Sequence, residues 1–111
     1  MAGAIGVSDT ITWHTNGWGY RRLIGEAARL APPEHRDLLE QYQVQPGLTL
    51  PLLPEAARLP IASLLVRAAR DLIATYENGD DEYERGYAHR LRNLIALLGD
   101  EITHLQQETE Q

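Results

Sequence analysis

Apolar side chains at Ile61, Leu64, Leu65, Ala68, Leu72 and Tyr76 recur at three- and four-residue intervals, opposed by Ser63, Arg67 and Arg70. That spacing paints one face of an α-helix. A helix is predicted from near Pro54 or Pro60 to Tyr76, ended by Asn78-Gly79, where a left-handed C-terminal residue is easily accommodated. A second long stripe follows, with Tyr87, Leu91, Leu94, Ile95, Leu98, Ile102 and Leu105 inward. Asp81-Glu82-Tyr83-Glu84 resembles a capping box at its start and sets acids against the positive end of the helix dipole. Residues 106–111 are expected to fray.

Upstream, Tyr20, Leu23, Ile24, Ala27, Leu30 and Ala31 share one face of a helix expected from about Trp18 to Ala31. Pro32-Pro33 stops it, because proline lacks the donor that the previous turn needs and disfavours helical geometry before it. Pro33 suits the first turn of a short helix through Tyr42, with Leu38, Leu39 and Tyr42 as its apolar set. Residues 43–53 are a connector, with a turn at Gln45-Pro46-Gly47. Leu48, Leu50, Leu52 and Leu53 make it too apolar for a solvated linker, so it should lie extended across the core.

The N-terminus is harder to read. Residues 1–9 lack periodicity and are taken as a loose arm. Ile11 and Trp13 alternate with threonines, and Asn16-Gly17 is a preferred two-residue hairpin turn that would set Trp13 opposite Tyr20. Asn16 also suits a helix N-cap. The reading is an irregular or strand-like lead-in with Asn16 near the helix start. The expected architecture is therefore all-α: one domain over residues 1–111, a compact bundle of four to five helices, with at most a short strand-like or hairpin lead-in.

Composition narrows the function classes. In 111 residues there is no cysteine, which removes disulfides, thiol catalysis and thiolate metal sites. No run approaches the roughly 20 apolar residues needed to span a bilayer, and the first residues lack the charge of a secretory signal, so a cytoplasmic protein is expected. All 10 cations are arginines, as a GC-rich coding bias would give. The net charge of −6 opposes sequence-independent binding to DNA or anionic membranes. The aromatic residues are 2 tryptophans and 5 tyrosines with no phenylalanine, so every ring carries a polar handle suited to half-wet interfaces.

Candidate chemistry is sparse. Glu101-Ile102-Thr103-His104 has the Glu-x-x-His spacing of di-iron bundles, but no second copy or supporting carboxylate pair accompanies it. The acids Glu77, Asp80, Asp81, Glu82 and Glu84 suggest calcium. However, Gly79 as the sixth loop residue puts Ala74 first and Arg85 twelfth, and the register with Gly86 sixth puts Tyr83 and Arg85 at ligand positions. Neither register is an EF-hand. Gly-x-Ser-x-Gly, P-loop and Gly-x-Gly-x-x-Gly motifs are absent, and Ser8 and Ser63 are the only serines. His14, His35 and His89 stand in separate segments. Arg85, His89 and Arg92 share a helix face and could meet phosphate, against the opposition of the nearby acids.

These features favour a non-enzymatic module that binds another protein through a basic partner surface, such as an adaptor, antitoxin or immunity-type inhibitor. No cofactor or metal is expected. The partner-facing surface is assigned to Glu77, Asp80, Asp81, Glu82, Tyr83 and Glu84. A second copy is a further candidate partner, because the stripe from Tyr87 to Leu105, which includes Leu94 with Ile95 and Leu97 with Leu98, is wider than one neighbour covers. The rival reading is a small-molecule protein or small enzyme with a pocket at Trp13, His14, Trp18 and Tyr20. A DNA-linked regulator acting through arginines is the third.

Overall fold

A computed structural model describes residues 2–110. The chain runs β1 (Ala2–Gly6), β2 (Thr12–Asn16), α1 (Gly17–Leu30), α2 (Pro33–Gln43), β3 (Gly47–Thr49), a 3-10 turn (Leu50–Leu52), α3 (Glu55–Tyr76) and α4 (Glu82–Glu110). Helices dominate, as their periodicity demands. The all-α assignment is nevertheless wrong, because the helices pack on a three-stranded mixed sheet of order β2-β1-β3. β1 pairs antiparallel with β2 and parallel with β3.

The sheet grows from segments that look featureless in one dimension. Ala2-Gly3-Ala4-Ile5-Gly6, expected as a loose arm, is the central strand. Its small residues are a packing requirement. A Cβ on Gly3 would run into Tyr20, standing 2.8 Å from that residue's Cγ, and one on Gly6 would lie 2.9 Å from Thr49 Cγ2. The hairpin also turns earlier than Asn16-Gly17. Val7 N–H donates to the Ile11 carbonyl at 2.9 Å, so Trp13 lies opposite Ile5 and not Tyr20. Asn16 takes its other expected role: it caps α1, its Oδ1 accepting from Gly19 N–H at 2.7 Å.

Alternation along the strands puts Trp13, Ile5 and Leu48 in one cross-strand row. All three are buried, together with Tyr20, Leu23, Ile24 and Ala27 of α1. The connector therefore divides its leucines: Leu48 joins the sheet row, Leu50 and Leu53 are buried, and Leu52 is left exposed. Arg58 fastens this segment to α3 through the Leu53 and Pro51 carbonyls at 3.1 and 2.9 Å. Arg36 of α2 similarly donates to Ala28 and Ala31 carbonyls at the end of α1, where the helix leaves acceptors unpaired.

α3 lies between α1 and α4 and is buried on a broad face, from Ala57 and Ile61 through Leu65 and Ala69 to Leu72. It starts beyond Pro54 and carries Pro60 inside, at the cost of one hydrogen bond to the preceding turn. α4 buries Tyr87, Leu91, Leu94 and Leu98, while Ile95, Leu97 and Ile102 pack part-buried against the same core. It continues through Glu110, past the point where fraying is expected; Gln111 lies outside the described residues. No helix among the described residues is long and apolar enough to cross a membrane.

Candidate functional site

Trp18 in the first turn of α1 meets three tyrosines from the far end of the chain. Tyr76 closes α3, while Tyr83 and Tyr87 lie one turn apart on α4 and so share a face. The Trp18 ring lies 5.8 Å from Tyr76, 5.8 Å from Tyr83 and 5.2 Å from Tyr87, all at steep interplanar angles. Tyr76 and Tyr87 complete the cluster at 5.9 Å. The Trp18–Tyr83 pair is tilted and the other three are edge-to-face, a geometry that adds about 0.5–1.5 kcal/mol per pair beyond the buried area.

The cluster is graded from core to surface. Tyr87 is fully buried and its hydroxyl donates to the Gly19 carbonyl at 2.6 Å. Burial pushes its ionisation well above the ordinary tyrosine range. Tyr76 is half-buried and its hydroxyl accepts from Arg22 Nε at 3.2 Å. Trp18 and Tyr83 form the outer end, 40% and 42% exposed, and Arg90 lies over the Tyr83 ring at 6.0 Å.

The predicted partner-facing residues all lie in the α3–α4 loop and the first turn of α4, bordering this outer end. Glu77 is paired with Arg92 at 2.6 Å. Asp81 Oδ1 accepts from Tyr83 N–H at 2.9 Å and so caps α4, but among the described residues Glu84 returns no bond to Asp81 N–H, so the expected capping box is only half formed. Asp80 and Glu82 are exposed, and among the described residues neither is in an ion pair. Glu84 is half-buried beside Gly79.

The residues assigned to a ligand pocket are dispersed. Trp13 is buried and donates its indole N–H to the Arg90 carbonyl at 2.9 Å. Tyr20 is buried, and its hydroxyl donates to the Tyr42 carbonyl at 2.5 Å. Burial, reinforced by Tyr42, pushes Tyr20 up to about 12. Trp13 thus anchors the sheet, while Tyr20 also lines a hollow of about 220 Å³ with Arg21, Gln43 and Pro46. His14 lines an open hollow of about 340 Å³ with Thr15, Asn16, Tyr83 and Arg90. Trp18 belongs to the aromatic cluster, so the four do not converge on one cavity.

Elsewhere, Glu101 and His104 line one open hollow of about 360 Å³ together with Arg58 and Glu108, and His104 pairs with Glu108 at 3.1 Å. Among the described residues, no three histidines or acids gather as a metal site would need. Two of the three candidate phosphate contacts are engaged within the chain: Arg85 with the Gly79 carbonyl at 2.6 Å and Arg92 with Glu77.

Sequence reasoning missed Tyr76, Arg22 and Arg90 as neighbours of the surface. The four-residue spacing of Tyr83 and Tyr87 announced a shared face, but Trp18 reaches it only through tertiary packing. Comparison of the chain with known protein families, with curated proteins and with solved structures finds no match.

Proposed function

We propose that the chain is a non-enzymatic protein-binding module, of the adaptor, antitoxin or immunity-inhibitor kind, whose partner presents a basic surface. One observation carries the reading. Trp18 and Tyr83 pack together at 5.8 Å and are both about two-fifths exposed, beside Asp80 and Glu82, which are exposed and in no ion pair among the described residues. Rigid aromatic rings supply contact area at low entropic cost and dominate interface energetics. These two acids favour a cationic partner and speed its approach.

The other large exposed apolar side chains, Ile11, Val44 and Leu52, serve as internal controls. Affinity capture from cells that produce the protein naturally, compared across variants, tests the reading. A partner held by the wild-type chain should be released by Trp18→Ala and by Tyr83→Ala, and kept by Leu52→Ala. Retention by both aromatic variants, with the fold intact, rejects the surface.

A further inference from the structure

The backbone along β2 is an unused hydrogen-bonding edge. The strand order β2-β1-β3 makes β2 one margin of the sheet. Val7 N–H donates to the Ile11 carbonyl, so residues 7 and 11 form a hydrogen-bonded pair. In the antiparallel register, such pairs recur at every second residue. Ile5 with Trp13 and Gly3 with Thr15 therefore point their amides and carbonyls at each other. Ala4 points the other way, donating to the Pro46 carbonyl at 3.2 Å. It follows that the N–H and C=O groups of Thr12 and His14 face away from β1. Both residues are exposed, and among the described residues no hydrogen bond reaches these groups.

Sheet edges are ordinarily blunted by shortness, charge, proline or a bulge. β3, the opposite margin, is three residues long and runs straight into Leu50-Pro51. β2 is five residues long, Thr-Trp-His-Thr-Asn, with no lysine, arginine, acid or proline and an unbroken register. The open hollow lined by His14, Asn16, Tyr83 and Arg90 lies beside it. Tyr83 thus belongs both to that hollow and to the exposed aromatic pair, which makes edge and patch one continuous surface.

We propose that β2 takes up an extended segment of the protein partner as a fourth strand, an inference that rests on the binding role proposed above. The segment bonds the outward groups of Thr12 and His14 and passes Tyr83 toward the acids of the α3–α4 loop. It carries Lys or Arg alternating with β-branched residues, which complement those acids and fit a strand. Charge selects this occupant over a second copy of the chain, since each copy carries −6.

The probe is a displayed library of extended peptides with Lys or Arg alternating with Val, Ile or Thr. It is bound to wild-type protein, to His14→Ala and to His14→Pro. His14→Ala keeps the outward N–H. His14→Pro deletes it and spares the ladder to β1, which uses Trp13 and Thr15. Selected peptides should bind wild type and His14→Ala alike and lose about tenfold with His14→Pro, as expected for one donor withdrawn from a ladder. Their binding should also slow hydrogen exchange at the Thr12 and His14 amides, a readout in the wild-type chain that decides the matter even where His14→Pro fails to fold. Peptides that bind without slowing these amides, or a library from which nothing is retained, overturn the strand addition. Wild-type self-association that slows the same amides without peptide reassigns the edge to a second copy and also overturns it. The aromatic patch fails separately, through the Trp18→Ala and Tyr83→Ala captures.

Discussion

Trp13 and Arg90 stand 77 positions apart, yet the indole N–H of the first donates to the backbone carbonyl of the second at 2.9 Å. This bond joins β2 to the N-terminal third of α4 and pins the N-terminal strands to the last helix. Trp13→Phe keeps most of the ring and removes the donor, and the carbonyl still has its own helical partner. The expected loss is about 1 kcal/mol of unfolding free energy in urea titration. Trp13→Ala also opens a cavity and should cost about 3–5 kcal/mol. Equal effects from the two variants would mean that the hydrogen bond, and not the packing, holds the sheet in place.

Two glycines should respond to alanine with opposite signs. At Gly3 a Cβ would collide with the Tyr20 Cβ and sit 2.8 Å from its Cγ, atoms that the core holds fixed. Gly3→Ala should destabilise by about 2 kcal/mol or more, as overpacking does. At Gly99, an exposed position inside α4, nothing lies within 4 Å of the added methyl. Gly99→Ala should stabilise by about 0.5–1 kcal/mol through helix propensity. Thermal melts of the two variants give the signs directly.

The contrast between those glycines explains what the sequence could disclose. α1, α3 and α4 were legible because each repeats its apolar residues often enough to define a face. β1 was not, since Gly3 and Gly6 are dictated by the closeness of Tyr20 and Thr49, which no local pattern records. β3 was hidden in the leucine-rich connector because its three residues gain strand geometry only by pairing with β1. The acidic loop and Tyr83 were visible as composition. Their junction with Trp18 was not, because it joins the first turn of α1 to the first turn of α4.

Alkaline titration should expose the buried tyrosines. Burial, with Tyr42 adding to it, holds Tyr20 neutral up to about 12 in the folded chain, against 10.0 when free. Tyr87 is shifted in the same direction, chiefly by burial. A group whose folded value is raised contributes stability below its free value and loses it as pH rises through the folded one. Urea stability should therefore fall between pH 10 and about 12. Tyr20→Phe should flatten that fall while losing the hydrogen bond to the Tyr42 carbonyl. An equally steep fall in the phenylalanine variant would assign the alkaline transition elsewhere.

On the acid side the responsive group is Glu26, whose side chain is only 8% exposed. Arg29 donates to it twice, at 3.1 and 2.6 Å, and Arg22 approaches to 3.7 Å. The Arg29 hydrogen bonds hold its carboxyl below the ordinary glutamate value. A lowered acid contributes stability above its free value and loses it as pH falls through the folded one. Glu26→Gln should cost about 1 kcal/mol at neutral pH, since the arginines remain well solvated, and should weaken the acid dependence. A variant with an unchanged acid limb would show that Glu26 is spectator to it.

Charge reversal separates the acids that hold the fold from those left free for a partner. Glu77 is committed to Arg92, and Asp81 caps α4 through Tyr83 N–H. Asp80 and Glu82 are exposed and have no ion pair among the described residues. Asp80→Arg with Glu82→Arg should therefore change unfolding free energy by less than about 1 kcal/mol, as surface charges do. Once the captured partner is identified, the same pair should slow its association and shrink the salt dependence of the rate, because steering acts on the approach. Trp18→Ala should act mainly on dissociation, where desolvated aromatic contact is lost. Stopped-flow mixing at two salt concentrations resolves the two effects. An association rate indifferent to the double reversal would remove the acids from the interface and leave the Trp18–Tyr83 pair and the β2 edge to hold the partner.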